Sequence, residues 1–234
     1  MTAENSHRES NGKPAVLVFD FNETLINFGV LRPTFAELFQ DAGALDEWFA
    51  LLLHYSTVVT LTDSYVNFAE LGKAAFTMLA ESKRVRIGDE ERGRVFQDIL
   101  SLPAHPEVPE ALARLRAAGF RMVVLTNSSP ASVSVQIRNA GIVSYFDEVI
   151  SVDSIHRFKP DLEVYRYAAR HLSASTGQLM LVAAHAWDVY GAMRAGCRAA
   201  FVARQGKPLF PLGRRPEICE PDLTAVADAI LRLQ

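Results

Sequence analysis

The chain has 234 residues, of which 49% are hydrophobic and 22% are charged, and its formal net charge is -3. This composition is typical of a globular protein and excludes wholesale disorder. The slight acidic excess argues against nucleic acid or an anionic membrane as the main partner. A chain of this length can form one substantial core, or a core with a small second domain.

Three features favour a cytoplasmic protein. Residues 1–12 are polar throughout, which predicts a flexible tail rather than a signal peptide. No apolar run in the sequence approaches the roughly 18 residues expected of a membrane span. The only two cysteines are Cys197 and Cys219, and a reducing compartment is a simpler interpretation of so few than a disulfide.

The first predicted element is a buried strand at residues 15–21, where apolar β-formers predominate. A stretch without any convincing strand follows, and its apolar spacing predicts four amphipathic helices at residues 33–41, 46–58, 63–81 and 89–100. This block favours a helical cap, residues 31–102, inserted after the first strand. The alternative is that these helices simply extend the core.

Helices and strands alternate after the block. Helices are predicted at 106–118, 130–140, 161–172 and 187–195, and strands at 120–126, 148–152, 179–184 and 198–203. Gly119, Gly141 and Gly196 follow three of these helices, as residues that end helices commonly do. The alternation predicts an α/β fold with a doubly wound, Rossmann-like parallel sheet. Its core would comprise residues 13–30 and 103–234.

Polar residues stand at the ends of three predicted strands, at Asp20, at Asn127 and just beyond the fourth strand at Asp188. The carboxyl ends of parallel strands share one edge of a sheet, where ligands bind, so these side chains are expected to meet. A single aspartate in such a place is more often a helix cap. Three such positions, with Lys159 in a nearby loop, favour a catalytic site.

The chemistry that this set supports is nucleophilic attack by a carboxylate. An ionised, partly desolvated Asp20 can attack carbon or phosphorus. Burial raises the pKa of a carboxyl group, and a nearby ammonium such as that of Lys159 lowers it again. A lysine next to a proline is usually solvated, so its role depends on the whole constellation.

Four segments match the motifs of the haloacid dehalogenase superfamily in order and approximate spacing. They are Asp20-Phe21-Asn22-Glu23-Thr24-Leu25, Thr126-Asn127-Ser128-Ser129-Pro130, Lys159-Pro160 and Ala184-His185-Ala186-Trp187-Asp188. Within this superfamily the chain resembles the L-2-haloacid dehalogenases of type II, over residues 14 to about 202. The resemblance implies hydrolysis of short 2-haloalkanoic acids to 2-hydroxy acids through an ester on Asp20, and it raises the expectation of a homodimer.

The phosphatases of the same superfamily are the main alternative. They carry a second aspartate two residues after the nucleophile, where this chain has Asn22, which cannot transfer a proton. They also carry an acidic magnesium ligand after the third core strand, where this chain has Ala184-His185. Both departures favour chemistry without a metal or cofactor. A binding protein that has kept the fold but lost turnover is the third reading.

The resemblance assigns catalytic roles to four residues. Asp20 would be the nucleophile, Thr24 would hydrogen-bond it, and Lys159 would keep it ionised. Asp188 would orient Lys159 and help to activate the hydrolytic water. No metal ligand is expected among them.

The remaining site residues would bind substrate. Asn127 would face the leaving halide, Thr126 and the backbone at Asn22 and Glu23 would hold the substrate carboxylate, Tyr165 would lie beside the lysine, and Phe68 would line the halide pocket from the cap.

Two departures from the type II pattern affect this set. Phe49 stands where these enzymes carry an arginine in the cap, and a phenyl edge is a poorer anion partner than a guanidinium. Arg32 is the candidate to compensate. His185 replaces an expected amide; it is either an active-site residue that donates a hydrogen bond or titrates, which we favour, or a packed histidine. The loop at residues 206–215 could cover an edge of the sheet or contact a partner, but such loops are most often only surface.

Overall fold

The computed structural model describes residues 13–233. Within this range six strands form one parallel sheet in the order β3-β2-β1-β4-β5-β6. The strands are β1 Val16–Phe19, β2 Arg121–Thr126, β3 Glu148–Ser151, β4 Leu179–Ala183, β5 Arg198–Val202 and β6 Ile218–Glu220. The predicted doubly wound α/β sheet is therefore confirmed. The predicted tail, residues 1–12, lies outside the described residues.

The register of the central strands determines which side chains meet. Phe19 at the end of β1 pairs with Val124 of β2 on one side and with Val182 of β4 on the other. The backbone N–H of Asp20 continues this ladder by donating to the Val182 carbonyl at 3.0 Å. Asp20 consequently emerges in the middle of the sheet edge, between the ends of its two neighbouring strands.

Nine helices are described. They are α1 Arg32–Phe39, α2 Ala44–Leu61, α3 Phe68–Ser82, α4 Asp89–Leu100, α5 Val108–Ala117, α6 Pro130–Asn139, α7 Leu162–His171, α8 Ala186–Arg194 and α9 Leu223–Leu231. The first four follow β1 without an intervening strand, so an inserted helical block is present. Its division from the core at residues 31 and 102 stays a prediction. No helix of residues 13–233 is long and apolar enough to cross a membrane.

Helix α3 begins five residues later than its apolar pattern predicts. Asp63 adopts a left-handed backbone conformation with φ of 50°, which ends the preceding helical run. The side chain of Asn67 then caps α3 by accepting a hydrogen bond from the Glu70 backbone at 3.1 Å. The segment between them is not helical, and Tyr65 within it donates a hydrogen bond to Asp153.

Gly191 allows α8 to approach the loop that follows β3. A Cβ atom at this position would lie 2.6 Å from Pro160 Cβ and 2.9 Å from the Tyr165 hydroxyl. Both distances are far inside van der Waals contact, so only glycine permits this packing. Because Pro160 follows Lys159, the close approach also positions the lysine.

We expect Gly191→Ala and Gly93→Ala to change stability in opposite directions. The first creates the clash described above and should lower the free energy of unfolding by about 1–3 kcal/mol. Gly93 lies in α4 with no atom within 4 Å of an added Cβ, so alanine there should raise it by about 0.5–1 kcal/mol through helix propensity. Urea unfolding of both variants measures the difference. A stabilised Gly191→Ala protein would contradict the packing described for α8.

Candidate active site

The carboxylate of Asp20 is buried, with 4% of its surface exposed, and is held on both oxygens. Lys159 Nζ lies 2.7 Å from Oδ1. The Thr24 hydroxyl donates to Oδ2 at 2.6 Å, and His185 Nδ1 lies 3.1 Å from the same oxygen. These contacts fix the direction of the carboxylate and leave it no freedom to rotate.

Thr24 connects two strand ends. Its hydroxyl donates to Asp20 and also accepts a hydrogen bond from the Ala184 backbone N–H, directly after β4, at 2.9 Å. A hydroxyl can serve both purposes because it is one donor and two acceptors. Thr24 thereby holds the turn after β1 against the end of β4.

Lys159 lies between two carboxylates and is almost completely buried, with 1% of its surface exposed. Its ammonium is 2.7 Å from Asp20 and 2.6 Å from Asp188. Burial alone would lower the pKa of Lys159, but the charges of Asp188 and Asp20 raise it above its ordinary value. The lysine is therefore charged. Its backbone N–H donates to Asn127 Oδ1 at 3.0 Å, which anchors its loop to the end of β2.

Asp188, in the first turn of α8, is held from a second side. The Tyr165 hydroxyl, from α7, donates to Asp188 Oδ1 at 2.6 Å, while Lys159 contacts Oδ2. Tyr165 therefore supports the aspartate that holds the lysine. Burial is the main cause that raises the pKa of Asp188, against the opposing charge of Lys159.

The electrostatics keep Asp20 ionised. Burial alone would raise the pKa of its carboxyl group, but the ammonium of Lys159 and the hydrogen bond and charge of His185 hold it well below its usual range. A deprotonated carboxylate is the nucleophilic form. The predicted partnership between Asp20 and Lys159 is thus present in the geometry.

His185 bridges Asp20 and the side chain of Glu23. Its Nδ1 faces Asp20 and its Nε2 lies 2.9 Å from Glu23 Oε2. Burial alone would lower the pKa of His185, but the hydrogen bonds and charges of Asp20 and Glu23 raise it to about 9. The histidine is therefore an imidazolium at neutral pH, with a carboxylate on each ring nitrogen. Its hydrogen-bond partners are thus two carboxylates of the predicted site rather than backbone groups.

Lys207 reaches this cluster from the loop at residues 206–215, which was expected to lie at the surface. Its Nζ lies 2.7 Å from Glu23 Oε2 and 5.9 Å from the centre of the Phe49 ring. Arg204, just before it, donates two hydrogen bonds to the Thr24 carbonyl and one to Glu107. Several residues of the loop at 206–215 are exposed, as expected, whereas Lys207 is half-buried against Glu23. A lone lysine in a Gly/Pro loop carries no sequence signal that would have identified it.

Aromatic residues of the helical block and of α8 surround the cluster. Phe49 stacks on His185 with ring centres 5.9 Å apart, and Trp187 stacks on the same ring at 5.0 Å. Phe68 packs against Phe158. Phe49 and Phe68 also line a cavity of about 220 Å³ that reaches the core side of the site. The two aromatic residues predicted from sequence to lie in the cap therefore line the same cavity.

The other predicted residues are placed as follows. Arg32 forms a two-pronged ion pair with Asp46 on the exposed surface of the helical block. The Thr126 hydroxyl accepts a hydrogen bond from the Ser128 backbone within the turn after β2. Asn22 donates its amide to the Ser128 hydroxyl at 3.1 Å. Arg32 is thus engaged at the surface, whereas Thr126 and Asn22 lie at the strand ends around Asp20.

This architecture defines a class of α/β proteins that hold a buried carboxylate at the end of a central strand, beside an inserted block of helices. A model of the haloacid dehalogenase-like hydrolases matches residues 14–196. The chain belongs to this family. The resemblance to the L-2-haloacid dehalogenases, inferred from the motifs, is confirmed by the comparisons below.

Several characterised relatives cover most of the chain. An (S)-2-haloacid dehalogenase of Pseudomonas sp. strain CBS-3 is 30% identical over 198 residues, 82% of this chain and 85% of that protein. Another from Pseudomonas sp. strain YL is 28% identical over 181 residues, 77% of this chain and 78% of that protein. The solved L-2-haloacid dehalogenase from Xanthobacter autotrophicus with covalently bound chloropropionic acid superposes with a TM-score of 0.85 at 21% identity, over 93% of this chain and 98% of that one.

The charge on His185 should make the free energy of unfolding depend on pH. The imidazolium is stabilised by the fold, so its contribution is fully present below the ordinary histidine pKa of 6.5 and is lost as the pH rises through about 9. The difference in unfolding free energy between wild type and His185→Gln should therefore shrink between pH 6 and pH 9.5, by about 3 kcal/mol at most. Urea titrations at the two pH values measure it. A difference that grows with pH would mean that His185 is neutral when folded.

Proposed function

We propose that the protein hydrolyses short 2-haloalkanoic acids to 2-hydroxy acids through an ester formed on Asp20, without a metal or cofactor. This proposal rests mainly on the Asp20 carboxylate, which is buried, ionised and in direct contact with the ammonium of Lys159. The named activities of the relatives support the substrate class, and the covalently bound acid in the Xanthobacter enzyme supports an ester intermediate.

In the first step an Asp20 oxygen attacks the carbon that bears the halogen, and the carbon–halogen bond breaks as the ester bond forms. Asn127 is suited to stabilise the leaving halide. Its Oδ1 accepts from the Lys159 backbone N–H, so its amide nitrogen is directed away from that contact and can donate to an anion. Phe49 and Phe68 would line the apolar side of the halide site.

In the second step water attacks the Asp20 carbonyl carbon and releases the 2-hydroxy acid. Esterification removes the negative charge that Asp20 presents to His185, so the pKa of the imidazole falls and its proton passes to solvent. His185, still bound to Glu23, then accepts a proton from the attacking water. The ester C–O bond then breaks, the second proton of the water passes to the departing oxygen to give the hydroxyl group of the product, and the carboxylate and the imidazolium are restored. Each turnover releases one proton, which is the one that His185 gives up to solvent after the ester has formed.

The donor set around Asp20 does not fit a divalent cation. The Lys159 ammonium is in hydrogen-bond contact with both Asp20 and Asp188 and thus occupies the space between the two carboxylates. Mg²⁺ requires oxygen ligands at about 2.0–2.1 Å, and an ammonium among them would be repelled. The lysine supplies the fixed positive charge instead.

The first experiment measures halide release from chloroacetate, bromoacetate and (S)-2-chloropropionate. We expect turnover that is unaffected by EDTA, and a loss of about a thousandfold or more in Asp20→Asn, because an amide is a poor nucleophile. A single turnover in ¹⁸O-water with enzyme in excess should place the label on Asp20, and the first 2-hydroxy acid should carry ordinary oxygen.

Three outcomes would contradict the proposal. Label in the first product with none on Asp20 would exclude the ester. Magnesium-dependent release of phosphate, in place of halide release, would favour the phosphatase alternative. Binding of 2-haloacids without any turnover would indicate a binding protein. The proposal also includes a cytoplasmic homodimer, and light scattering of the purified protein tests the dimer.

Lys207 is proposed to set the basicity of His185 through Glu23. Removal of the ammonium in Lys207→Met leaves Glu23 to stabilise the imidazolium alone, which raises the pKa of His185 after esterification. Ester hydrolysis requires the neutral imidazole, so the acid limb of its pH profile should move up by about one unit, and hydrolysis at pH 7 should slow about tenfold. Rapid-quench measurement of the ester on Asp20 separates this step from its formation.

Two further variants control this experiment. Lys207→Arg keeps the positive charge and should retain the wild-type profile. Lys83→Met removes a lysine that pairs with Asp41 and Glu47 in the helical block and should leave the profile unchanged. An unshifted profile in Lys207→Met would show that Lys207 does not act on the His185 proton.

A further inference from the structure

A cavity of about 220 Å³ lies next to the site, between the helical block and the core. Asn22, Phe49, Phe68 and Ser128 line the part that belongs to the site described above. Beyond them the wall consists of side chains from α2, α3, α4 and α6, most of them apolar, including Leu52, Phe96, Ile99 and Leu100. The mechanism proposed above uses none of this second part.

Two buried carbonyl oxygens on the cavity wall have no hydrogen-bond partner. They are Asn22 Oδ1 and Gln136 Oε1, on side chains that are 7% and 3% exposed. The orientation of Gln136 is determined by its other amide atom, since Nε2 donates to the Ile99 carbonyl at 3.1 Å. An unsatisfied buried acceptor costs free energy, so a ligand group that donates a hydrogen bond to it would be favoured.

We infer that this cavity binds the carbon chain of 2-haloacids longer than propionate, with a preference for chains that carry a hydroxyl group towards the far end. The inference rests on the proposed function, because Asn22 and Ser128 link the cavity to Asp20. The apolar lining accepts methylene groups, and Gln136 Oε1 accepts a hydrogen bond from the hydroxyl.

The cavity can accommodate chains of different length because it reaches the surface. Lys73 of α3 and Gln97 of α4 are exposed and also belong to its lining. A chain that is too long to end inside can therefore pass between these two helices. For this reason the affinity for 2-haloacids should increase with chain length, without a sharp upper limit.

The main test compares kcat/KM for (S)-2-bromoheptanoate with that for (S)-2-bromopropionate. Each methylene group transferred from water into an apolar site contributes up to about fourfold, so the wild-type ratio should exceed about tenfold. Gly72→Ala narrows the cavity, because its Cβ would lie 3.6–3.8 Å from Trp48, Leu52 and Phe96 without a clash. This variant should lower the ratio about threefold or more.

Gly93→Ala is the matched control. It makes the same substitution in a helix of the same block, where the added Cβ meets open space, and should leave the ratio at its wild-type value. The cavity inference is overturned if the wild-type ratio is at or below one, or if Gly72→Ala and Gly93→Ala give the same ratio.

The hydroxyl preference is tested with a matched pair of substrates. In 2-bromo-6-hydroxyhexanoate a hydroxyl group stands where 2-bromoheptanoate has its terminal methyl group. Wild type should turn over the hydroxylated acid more efficiently, because the hydrogen bond to Gln136 outweighs the lost apolar area. Gln136→Leu should favour the methyl-terminated acid by about tenfold relative to wild type. An unchanged preference would exclude Gln136 from the subsite.

A failure of the proposed function is distinguishable from a failure of this inference. If no halide is released even from 2-bromopropionate, the function is wrong, and the subsite is then tested by calorimetric binding of heptanoate and 6-hydroxyhexanoate. Binding of both acids that weakens in Gly72→Ala but not in Gly93→Ala supports the subsite without any turnover. Equal binding in all three proteins, or none in any, overturns it.

Discussion

One buried ammonium holds the ends of the central strands together. Lys159 contacts Asp20 after β1 and Asp188 after β4, and its backbone is bound to Asn127 after β2. Moving a charge out of water costs several kcal/mol unless partners compensate for the loss. Here the lysine compensates for two carboxylates at once. Without it two buried anions would face each other, so both the geometry of the site and its protonation depend on this contact.

Lys159 is part of a chain of ion pairs in which positive and negative groups alternate. The chain runs through Lys207, Glu23, His185, Asp20, Lys159 and Asp188. Groups coupled in this way do not titrate independently, because neutralising one changes the proton affinity of its neighbours. A change of charge at one carboxylate therefore alters the pKa values of the neighbouring groups without any movement of the backbone. The chain of ion pairs draws on three strand ends and on a loop beyond β5, so no single element of the fold contains it.

The sequence predicts the parts of this arrangement that local patterns encode. Continuous apolar runs such as that at β4 identify buried parallel strands, and the common edge of such strands places Asp20 and Asp188 together. Strand β6 and helix α9 are not among the predicted elements. Strand β6 has only three residues, which is too short to show an apolar pattern. Lys207 was missed for a different reason. Its contact with Glu23 joins residues 184 positions apart in sequence, and only the folded loop brings them within reach.

The backbone at Glu23 carries a further consequence. Its φ of 58° is left-handed, and an L-residue in that conformation is strained by about 1–2 kcal/mol relative to the right-handed region. Glycine would remove the strain, but it would also remove the carboxylate that His185 and Lys207 share. The ion pairs that this carboxylate makes with His185 and Lys207 offset the strain, so glycine would not be a neutral exchange at this position. The left-handed backbone at Glu23 is thus a local strain that the fold accepts in order to place a carboxylate between two cations, in the turn after β1.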